Sequence, residues 1–382
     1  MKQLRLIFLA PMILFFAPAA QAGWSAAQRL TWTPGDSSHP SVAADSNGSI
    51  HAVWEDDTPG NNEIYYRRST DGGSAWSAVL RLTWNSGESV LPAIAAGPGN
   101  AIHVVWMDST PGTDEIYFRR SDDGGSTWST VQRLTWNSGE SMCPTIAVDS
   151  SAVIHIAWMD YAPANDEVYY MKSANGGASW SAPKRLTWTA TSSFYPVIAS
   201  YSNTHVHVVW YDDIAGNPDV YYKRSWDGGS TWGTTKRLTA NSGWSCYPVA
   251  AADSTNGVHI AWHDDTSGNQ EIYYDKSPDG GSTWGTVHRL TWTSGWSYYP
   301  VLAVDPNDHI HLVWYDDTPG NSEVYYRSSS NGGTTWSTSQ RLTWMSGSSV
   351  FPALAIDSSD TRHLLWSDGT PGNYEIYYRK GN

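Results

Sequence analysis

Residues 289–340 read RLTWTSGWSYYPVLAVDPNDHIHLVWYDDTPGNSEVYYRSSSNGGTTWSTSQ, and closely similar stretches precede and follow them. The opening tripeptide Arg-Leu-Thr recurs every 52 residues, with its arginine at Arg29, Arg81, Arg133, Arg185, Arg237, Arg289 and Arg341. Counting from that arginine as zero, all seven copies carry a proline at +11, a histidine at +22 and a tryptophan at +25. A period of this length, with no insertion between copies, is typical of repeat architectures. The repeat therefore decides how every other feature of the sequence is interpreted.

Within one repeat the pattern predicts four strands, which we call A to D. Pro300 to Val304 is a short apolar run, and Ile310 to Tyr315 is rich in β-branched and aromatic residues. Glu323 to Arg327 follows and leads into the Gly-rich turn at Asn331, after which Ser337 to Trp344 closes the unit. Four short strands per repeat predict an all-β fold, a seven-bladed β-propeller with four antiparallel strands per blade.

The two ends of the chain carry further information. Lys2 and Arg5 precede an apolar run over residues 6–16, and Ala20-Gln-Ala22 has the form of a cleavage site, so residues 1–22 are predicted to be a secretory signal peptide. The mature protein would be a single propeller domain over residues 23–382, secreted to the extracellular space or the periplasm. The sequence shows no second apolar stretch of membrane-spanning length, which disfavours an integral membrane protein.

The repeat is cut unevenly at the termini. Trp24 is in register with Trp76, which follows a Gly-Gly turn, whereas Asn382 lies just before the point where that turn would come. The segment from Trp24 to Trp32 is therefore expected to supply strand D to a last blade whose strands A, B and C come from the C-terminus. Such a closure leaves no free sheet edge at the seam.

An eight-residue motif stands between strands C and D. Ser69-Thr-Asp-Gly-Gly-Ser-Ala-Trp76 is followed by equivalent motifs at 121–128, 173–180, 225–232, 277–284 and 329–336. The motif resembles the Asp-box, or BNR repeat, of the sialidase superfamily, although Asn175 and Asn331 replace the aspartate in two copies. The resemblance implies a propeller in which the box fastens a hairpin on the rim away from the ligand site, so it speaks for architecture and not for chemistry.

The resemblance also implies three arginines that would hold a substrate carboxylate in the central funnel, with a tyrosine and glutamate pair and an acidic proton donor. No residue can be matched to that triad, since strand A carries no arginine. The D–A and B–C loops, which are expected to share the ligand face, contain no Lys or Arg and hold most of the 37 acidic residues. This disfavours sialic acid hydrolysis, and the net charge of −14 disfavours nucleic acid as a partner.

Positions at which the copies differ are the candidates for function. Positions +7, +10 and +26 all belong to the expected ligand face; all three are aromatic or histidine in blades 5 and 6, and +10 and +26 are so in blade 4 as well. This aromatic sector comprises Trp244, Trp296, Tyr195, Tyr247, Tyr299, Tyr211, His263 and Tyr315, with Asp212, Asp264 and Asp316 beside it. Aromatic faces stack on the C–H faces of sugars while carboxylates accept hydrogen bonds from hydroxyls, which suits neutral glycans. The alternative is that these aromatics only fill the interblade mouth.

Residues repeated in every copy, or in all but one, are expected to be framework. This group includes the tryptophans at +3, +25 and +47, the mid-strand histidines and the aspartates at +27, which would cap their own loops. A calcium ion in loops such as 316–323 is a minor alternative, and otherwise no cofactor is expected. Cys143 and Cys246 belong to different blades, so no disulfide is predicted.

Three functions are compatible with this sequence. The first is a secreted recognition protein that binds carbohydrate, similar in general plan to seven-bladed bacterial lectins. The second is a glycoside hydrolase of sialidase-like fold acting on a neutral sugar, since carboxylates alone can run that chemistry. The third is an envelope or extracellular scaffold for a protein partner. Because the Asp ring is nearly the same in every blade, no single site with unequal carboxylates stands out, and the non-catalytic reading is favoured.

Overall fold

The computed structural model describes residues 23–162 and 165–382, so the predicted signal peptide lies outside the described part. Seven four-stranded antiparallel sheets follow one another along the chain, and each contacts the next through its strand A. The predicted seven-bladed propeller is thereby confirmed. Among the described residues, no helix is long and apolar enough to cross a membrane.

The strands recur with nearly constant bounds. Blade 1 has β2 (Ser37–Ala44), β3 (Ile50–Asp56), β4 (Glu63–Ser69) and β5 (Leu80–Arg81); blade 2 has β6 (Ser89–Ala96), β7 (Ile102–Asp108), β8 (Glu115–Ser121) and β9 (Gln132–Arg133). Blade 3 has β10 (Ser141–Val148), β11 (Ile154–Asp160), β12 (Glu167–Ser173) and β13 (Lys184–Arg185); blade 4 has β14 (Ser193–Ser200), β15 (Val206–Asp212), β16 (Asp219–Ser225) and β17 (Lys236–Arg237). Blade 5 has β18 (Ser245–Ala252), β19 (Val258–Asp264), β20 (Glu271–Ser277) and β21 (His288–Arg289); blade 6 has β22 (Ser297–Val304), β23 (Ile310–Asp316), β24 (Glu323–Ser329) and β25 (Gln340–Arg341). Blade 7 has β26 (Ser349–Ile356), β27 (Arg362–Asp368) and β28 (Glu375–Gly381), and a 3-10 turn spans Pro98–Asn100.

The ring closes at blade 7 as predicted. The first strand of the chain, β1 (Gln28–Arg29), pairs antiparallel with β28, with Gln28 opposite Tyr378 and Arg29 opposite Tyr377. A further bridge joins Trp24 to Gly381. The N-terminal segment therefore completes a sheet whose other three strands come from the C-terminus.

Strand D is shorter than predicted, with two residues in each blade instead of the stretch from Ser337 to Trp344. After Arg81, the backbone N–H of Leu82 still donates to the Ile64 carbonyl at 2.7 Å. The N–H of Ile64, however, donates to the Thr83 hydroxyl at 2.8 Å. Because a side chain takes the place of the backbone acceptor, the ladder ends there and the chain turns toward the next blade.

Strand A, the inner edge strand, carries a bulge in every blade. The residue at +10 has a left-handed backbone in all seven copies, with φ between 46° and 52°, and the register shifts on either side of it. A bulky residue in this conformation is uncommon, and bulges re-aim side chains. Proline has no backbone N–H to donate to a neighbouring strand. It is tolerated at +11 because strand A is an edge strand, where no such hydrogen bond is required.

The repeated histidines and most repeated tryptophans are framework, as predicted. His51 is hydrogen-bonded inside the blade: its Nδ1 lies 2.7 Å from the Tyr66 hydroxyl, and its Nε2 lies 3.2 Å from the Asp45 carboxylate. Burial lowers the pKa of His51, so its ring is neutral near pH 7. The tryptophans at +25 are buried between sheets, for example Trp314.

The Asp-box acts as the expected hairpin clip. The Asp71 carboxylate accepts hydrogen bonds from the N–H groups of Ser74 and Ala75 at 3.0 and 2.8 Å, and these bonds lower its pKa. The box tryptophan, Trp76, packs edge-to-face on Tyr378 of the preceding blade at 5.1 Å. The motif therefore fastens one hairpin and also joins two blades.

Candidate ligand-binding face

The propeller channel opens at one end into a cavity of about 400 Å³. Its wall is formed by the bulged residues at +10 together with the prolines that follow them; the bulged residues are His39, Leu91, Cys143, Tyr195, Tyr247, Tyr299 and Phe351. The D–A and B–C loops share this end, as the bond from Asp57 N–H to the Asp36 carbonyl illustrates. This is the face on which the sequence placed its candidate residues.

The tyrosines of the aromatic sector meet at this cavity. The ring of Tyr247 lies between Tyr195 and Tyr299, with centroid distances of 4.6 and 4.4 Å. A second layer stands behind them, in which Tyr211 stacks on Tyr195 at 6.0 Å and Tyr315 stacks on Tyr299 at 5.5 Å. Strands of three different blades thus contribute to one continuous aromatic surface.

Burial raises the pKa values of Tyr195, Tyr247 and Tyr299. Their hydroxyls interact with one another as well, from Tyr195 to Tyr247 and from Tyr247 to Tyr299. At neutral pH these phenols therefore keep their protons and can both donate and accept hydrogen bonds. The surface offers apolar ring faces and neutral hydroxyls to whatever enters the cavity.

His263 contacts two of these tyrosines, Tyr299 and Tyr247. Its Nδ1 accepts a hydrogen bond from the Tyr299 N–H at 3.3 Å, and its ring lies 5.2 Å from that of Tyr247. Burial lowers the pKa of His263 to about 4, so the ring is neutral and serves as an acceptor. The bulged backbone of Tyr299 is held in part by this contact.

The sequence missed three residues of this surface. Tyr298 connects the rim to the cavity, since its ring lies 5.6 Å from Trp296 and 5.6 Å from Tyr315. Phe351 and His39 continue the wall at the seam, with centroids 4.1 Å apart. Position +9 lies opposite +26 in the ladder, as Tyr298 does opposite Tyr315, so its change from Ser38 to Tyr298 between blades was an available signal.

A buried carboxylate, Glu55, stands behind His39 at the other side of the mouth. Glu55 accepts from Ser38 and pairs with His39 Nδ1 at 2.9 Å, while its second oxygen accepts the Leu91 N–H at 2.7 Å. It is the one acidic residue at +26 among the seven copies. The mouth is therefore asymmetric, with tyrosines on one side and a His–Glu pair on the other.

Trp244 and Trp296 are exposed on the rim, with 57% and 51% of their surface accessible. In blades 1, 2 and 4 the +7 side chain caps a backbone N–H of the preceding blade; Glu88, for example, accepts from Asn62 N–H at 2.8 Å. A tryptophan cannot accept such a bond, and opposite Trp244 stands Pro218, which has no N–H to cap. Trp244 and Trp296 therefore do not make the interblade hydrogen bond that other residues make at this position.

Asp212, Asp264 and Asp316 are buried, and their carboxylates already have partners. Asp316, for example, accepts from the Ser297 hydroxyl at 2.7 Å and from the Thr318 N–H at 2.9 Å. This is the loop-capping arrangement that the sequence offered as the alternative to ligand contact. The surface that faces solvent is thus built from aromatic rings and hydroxyls, without these three carboxylates.

The tryptophans at +3 are not framework, which corrects the sequence interpretation. Six of them are 50% to 68% exposed, namely Trp32, Trp84, Trp136, Trp188, Trp292 and Trp344. Each lies under the guanidinium of the arginine at position zero, 5.6 to 5.9 Å from the ring centroid. The same arginines form ion pairs with buried glutamates, as Arg133 does with Glu115 at 2.6 Å. The negative charges of these glutamates are thus compensated by arginines of strand D.

One acidic group could hold a metal ion by its geometry. Asp305, His311 and Asp360 place ligand atoms within 4.8 Å of one another, on the face opposite the cavity. His311 is the framework histidine of blade 6 and bonds Asp305 at 3.1 Å and Tyr326 at 2.8 Å. Asp305 and His311 are therefore accounted for by blade 6 itself, whereas Asp360 belongs to the A–B loop of blade 7. A calcium role for the +27 loops stays a prediction.

No family model matches this sequence, and no curated protein is recognisably similar to it. Solved structures are similar in fold. An ulvan lyase, a polysaccharide lyase, aligns with a TM-score of 0.68 at 11% identity over 92% of this chain and 95% of its own. A protein of unknown function from Dyadobacter fermentans aligns at 0.59 and 14%, covering 93% and 98%. A Hadza microbial sialidase aligns at 0.53 and 15%, covering 87% and 76%.

These likenesses define the class of protein at the level of the fold. The chain is a seven-bladed β-propeller of the kind seen in sialidases and related propeller enzymes. Its channel mouth carries an aromatic cavity, and the described residues that line it include no arginine or lysine.

Proposed function

We propose that this propeller is a recognition protein that binds neutral carbohydrate at the channel mouth and along the aromatic sector. The observation that carries the proposal is the continuous path of rings from the exposed Trp296 through Tyr298 and Tyr315 to Tyr299 and Tyr247 in the cavity. Such a surface presents ring faces for sugar C–H groups and neutral hydroxyls for sugar hydroxyls.

The shape and charge of the site support a neutral ligand. A cavity of about 400 Å³ is of the size that holds a few sugar residues. The seven bulged residues that line it include no lysine or arginine, so a carboxylate or sulfate group has no ion-pair partner in this wall. The fold is shared with proteins described as an ulvan lyase and a sialidase, which act on carbohydrate. Release by secretion, as the N-terminus predicts, would bring the protein to extracellular glycans.

The test is a glycan array on the mature protein, followed by calorimetry on the best ligand with Trp244→Ala and Trp296→Ala. Loss of one stacking ring should weaken binding about tenfold. Trp226→Ala is the matched control, because Trp226 is 42% exposed and lies on the opposite face, against His205. Unchanged binding in both rim variants, with intact folding, would contradict the proposal.

Glycoside hydrolysis is the second candidate, and Glu55 is the observation that favours it. This carboxylate is buried behind His39 at the mouth and pairs with it, in a position that no other blade occupies with an acid. Hydrolysis ordinarily needs a second carboxyl across the bond to be cleaved. A panel of chromogenic glycosides, sialosides included, separates the two functions: turnover that Glu55→Gln abolishes would make the protein an enzyme.

A further inference from the structure

In five of the seven copies the residue at +38 on strand C is basic, and its side chain closes the outer groove between two blades. In the groove between blades 1 and 2, Arg119 donates through Nη1 to the Leu82 carbonyl at 2.6 Å and through Nε to the Ser129 carbonyl at 2.6 Å. Its guanidinium therefore bridges strand D of one blade and the loop after the Asp-box of the next. The exposed Trp84 stands at the edge of the same groove.

Most other grooves repeat this arrangement. Arg67, Arg327 and Arg379 donate to the equivalent pairs of carbonyls, and Lys223 donates to the Leu186 carbonyl at 2.6 Å. Lys223 also lies 5.4 Å from the centroid of Trp188, although Arg185 already lies over that ring. A second cation is thus accommodated beside the tryptophan and its arginine.

The groove between blades 2 and 3 is built alike but lacks the cation. Met171 occupies position +38, and a thioether has no N–H to give to the carbonyls of Leu134 and Ser181. A cleft of about 560 Å³ remains, lined by Met171, Leu134, Ser181 and the 68% exposed Trp136. Its wall keeps the two backbone acceptors that receive the +38 cation in other grooves, together with Trp136, which lies under the Arg133 guanidinium at 5.7 Å.

The groove between blades 4 and 5 also lacks the cation at +38, but there the other residues of the groove have changed with it. There Asp275 stands at +38 and accepts the Lys276 N–H at 2.7 Å, and Ala240 takes the place of the tryptophan. The tryptophan at +3 and the cation at +38 are both replaced in that groove. Between blades 2 and 3 Trp136 and its Arg133 are retained, so the two carbonyls that accept from the +38 cation are present without that second cation.

We infer that the groove between blades 2 and 3 binds the guanidinium group of an arginine side chain presented by a partner protein. The guanidinium would donate to the carbonyls of Leu134 and Ser181 as Arg119 does to those of Leu82 and Ser129. The ligand would be the second cation beside Trp136 and Arg133, as Lys223 is beside Trp188 and Arg185, and the net charge of −14 favours approach of a basic segment. The inference is independent of carbohydrate binding, which concerns the channel mouth.

The probe is N-acetyl-arginine methylamide, titrated into the protein labelled with ¹⁵N in its tryptophan indoles. The Trp136 indole signal, assigned by its loss in Trp136→Phe, should shift on titration. The citrulline counterpart has the same shape without the charge and should bind at least about tenfold more weakly, because hydrogen bonds from a charged donor are the stronger ones. Met171→Arg should abolish the response by filling the groove as Arg119 fills its own.

The converse variant, Arg119→Met, should open the neighbouring groove and make the Trp84 indole respond as well. Thermal melting of each variant controls for folding, and Met171→Arg copies a residue that four other blades carry in place. Three results would overturn the inference: no shift of Trp136 with the arginine probe, an equal shift with citrulline, or a shift that survives in Met171→Arg. If Arg119→Met does not fold, the Met171→Arg result decides alone.

Discussion

The seam of the ring offers the sharpest test of how this fold is held together. Trp24 is 4% exposed, packs edge-to-face on Tyr326 at 5.3 Å and lies under the Arg362 guanidinium at 5.4 Å. Replacing a buried tryptophan by alanine costs about 3–5 kcal/mol, which includes the cavity left behind. The edge-to-face pair adds about 0.5–1.5 kcal/mol beyond area. We therefore expect Trp24→Ala to lower the free energy of unfolding by about 4 kcal/mol.

The assay is urea unfolding followed by circular dichroism, with Trp76→Ala as the matched control. Trp76 makes the same edge-to-face contact, with Tyr378 at 5.1 Å, but sits in a blade whose four strands are continuous in the chain. Trp24 belongs to the segment that closes blade 7 without a covalent link, so its loss should destabilise more than the loss of Trp76. A change below about 1 kcal/mol in Trp24→Ala would refute the claim that this contact holds the seam.

Two further predictions concern the framework. Burial lowers the pKa values of His103 and His263 to about 4, below the value of about 6.5 in an unfolded chain, so the folded state binds fewer protons. Stability should be full above pH 6.5 and fall as the pH drops toward 4, which melting temperatures across that window measure; a flat profile would speak against buried neutral histidines. Gly73→Ala should destabilise by about 2 kcal/mol or more, because its φ is +82° and a Cβ would overlap the Tyr378 hydroxyl. Gly72→Ala is the control with φ +64° and open space around the Cβ, and equal melting temperatures of the two variants would rule out the steric argument.

The blade was predictable because its signals are local and repeated seven times. The strand alternation, the Asp-box turn and the tryptophan at +25 each gave the same answer in every copy, and the structure confirms them. The offset of Trp24 against Asn382 was enough to predict how the ring closes. The length of strand D was not predictable in the same way, because it depends on whether Thr83 offers its hydroxyl to Ile64.

The candidate face was predicted in part. Tyr195, Tyr247 and Tyr299 were named because they depart from the repeat, and the structure brings them together in one cavity. The same reasoning overlooked Tyr298 and treated Trp136 as framework. A residue repeated in nearly every copy is not thereby buried, since a repeat preserves whatever its interblade surface needs as well as its core.

The sequence by itself determined the number of blades, their strand order and the closure of the ring, because these follow from a period and from hydrogen-bond geometry that each repeat satisfies with its own residues. Tertiary structure alone decided which side chains meet. The left-handed residue at +10, for example Tyr247, is aimed into the channel by a bulge, and Met171 leaves a groove because it cannot donate to the Leu134 carbonyl of the preceding blade. Contacts between blades join residues that are a repeat apart in the chain, so no local pattern in the sequence specifies them.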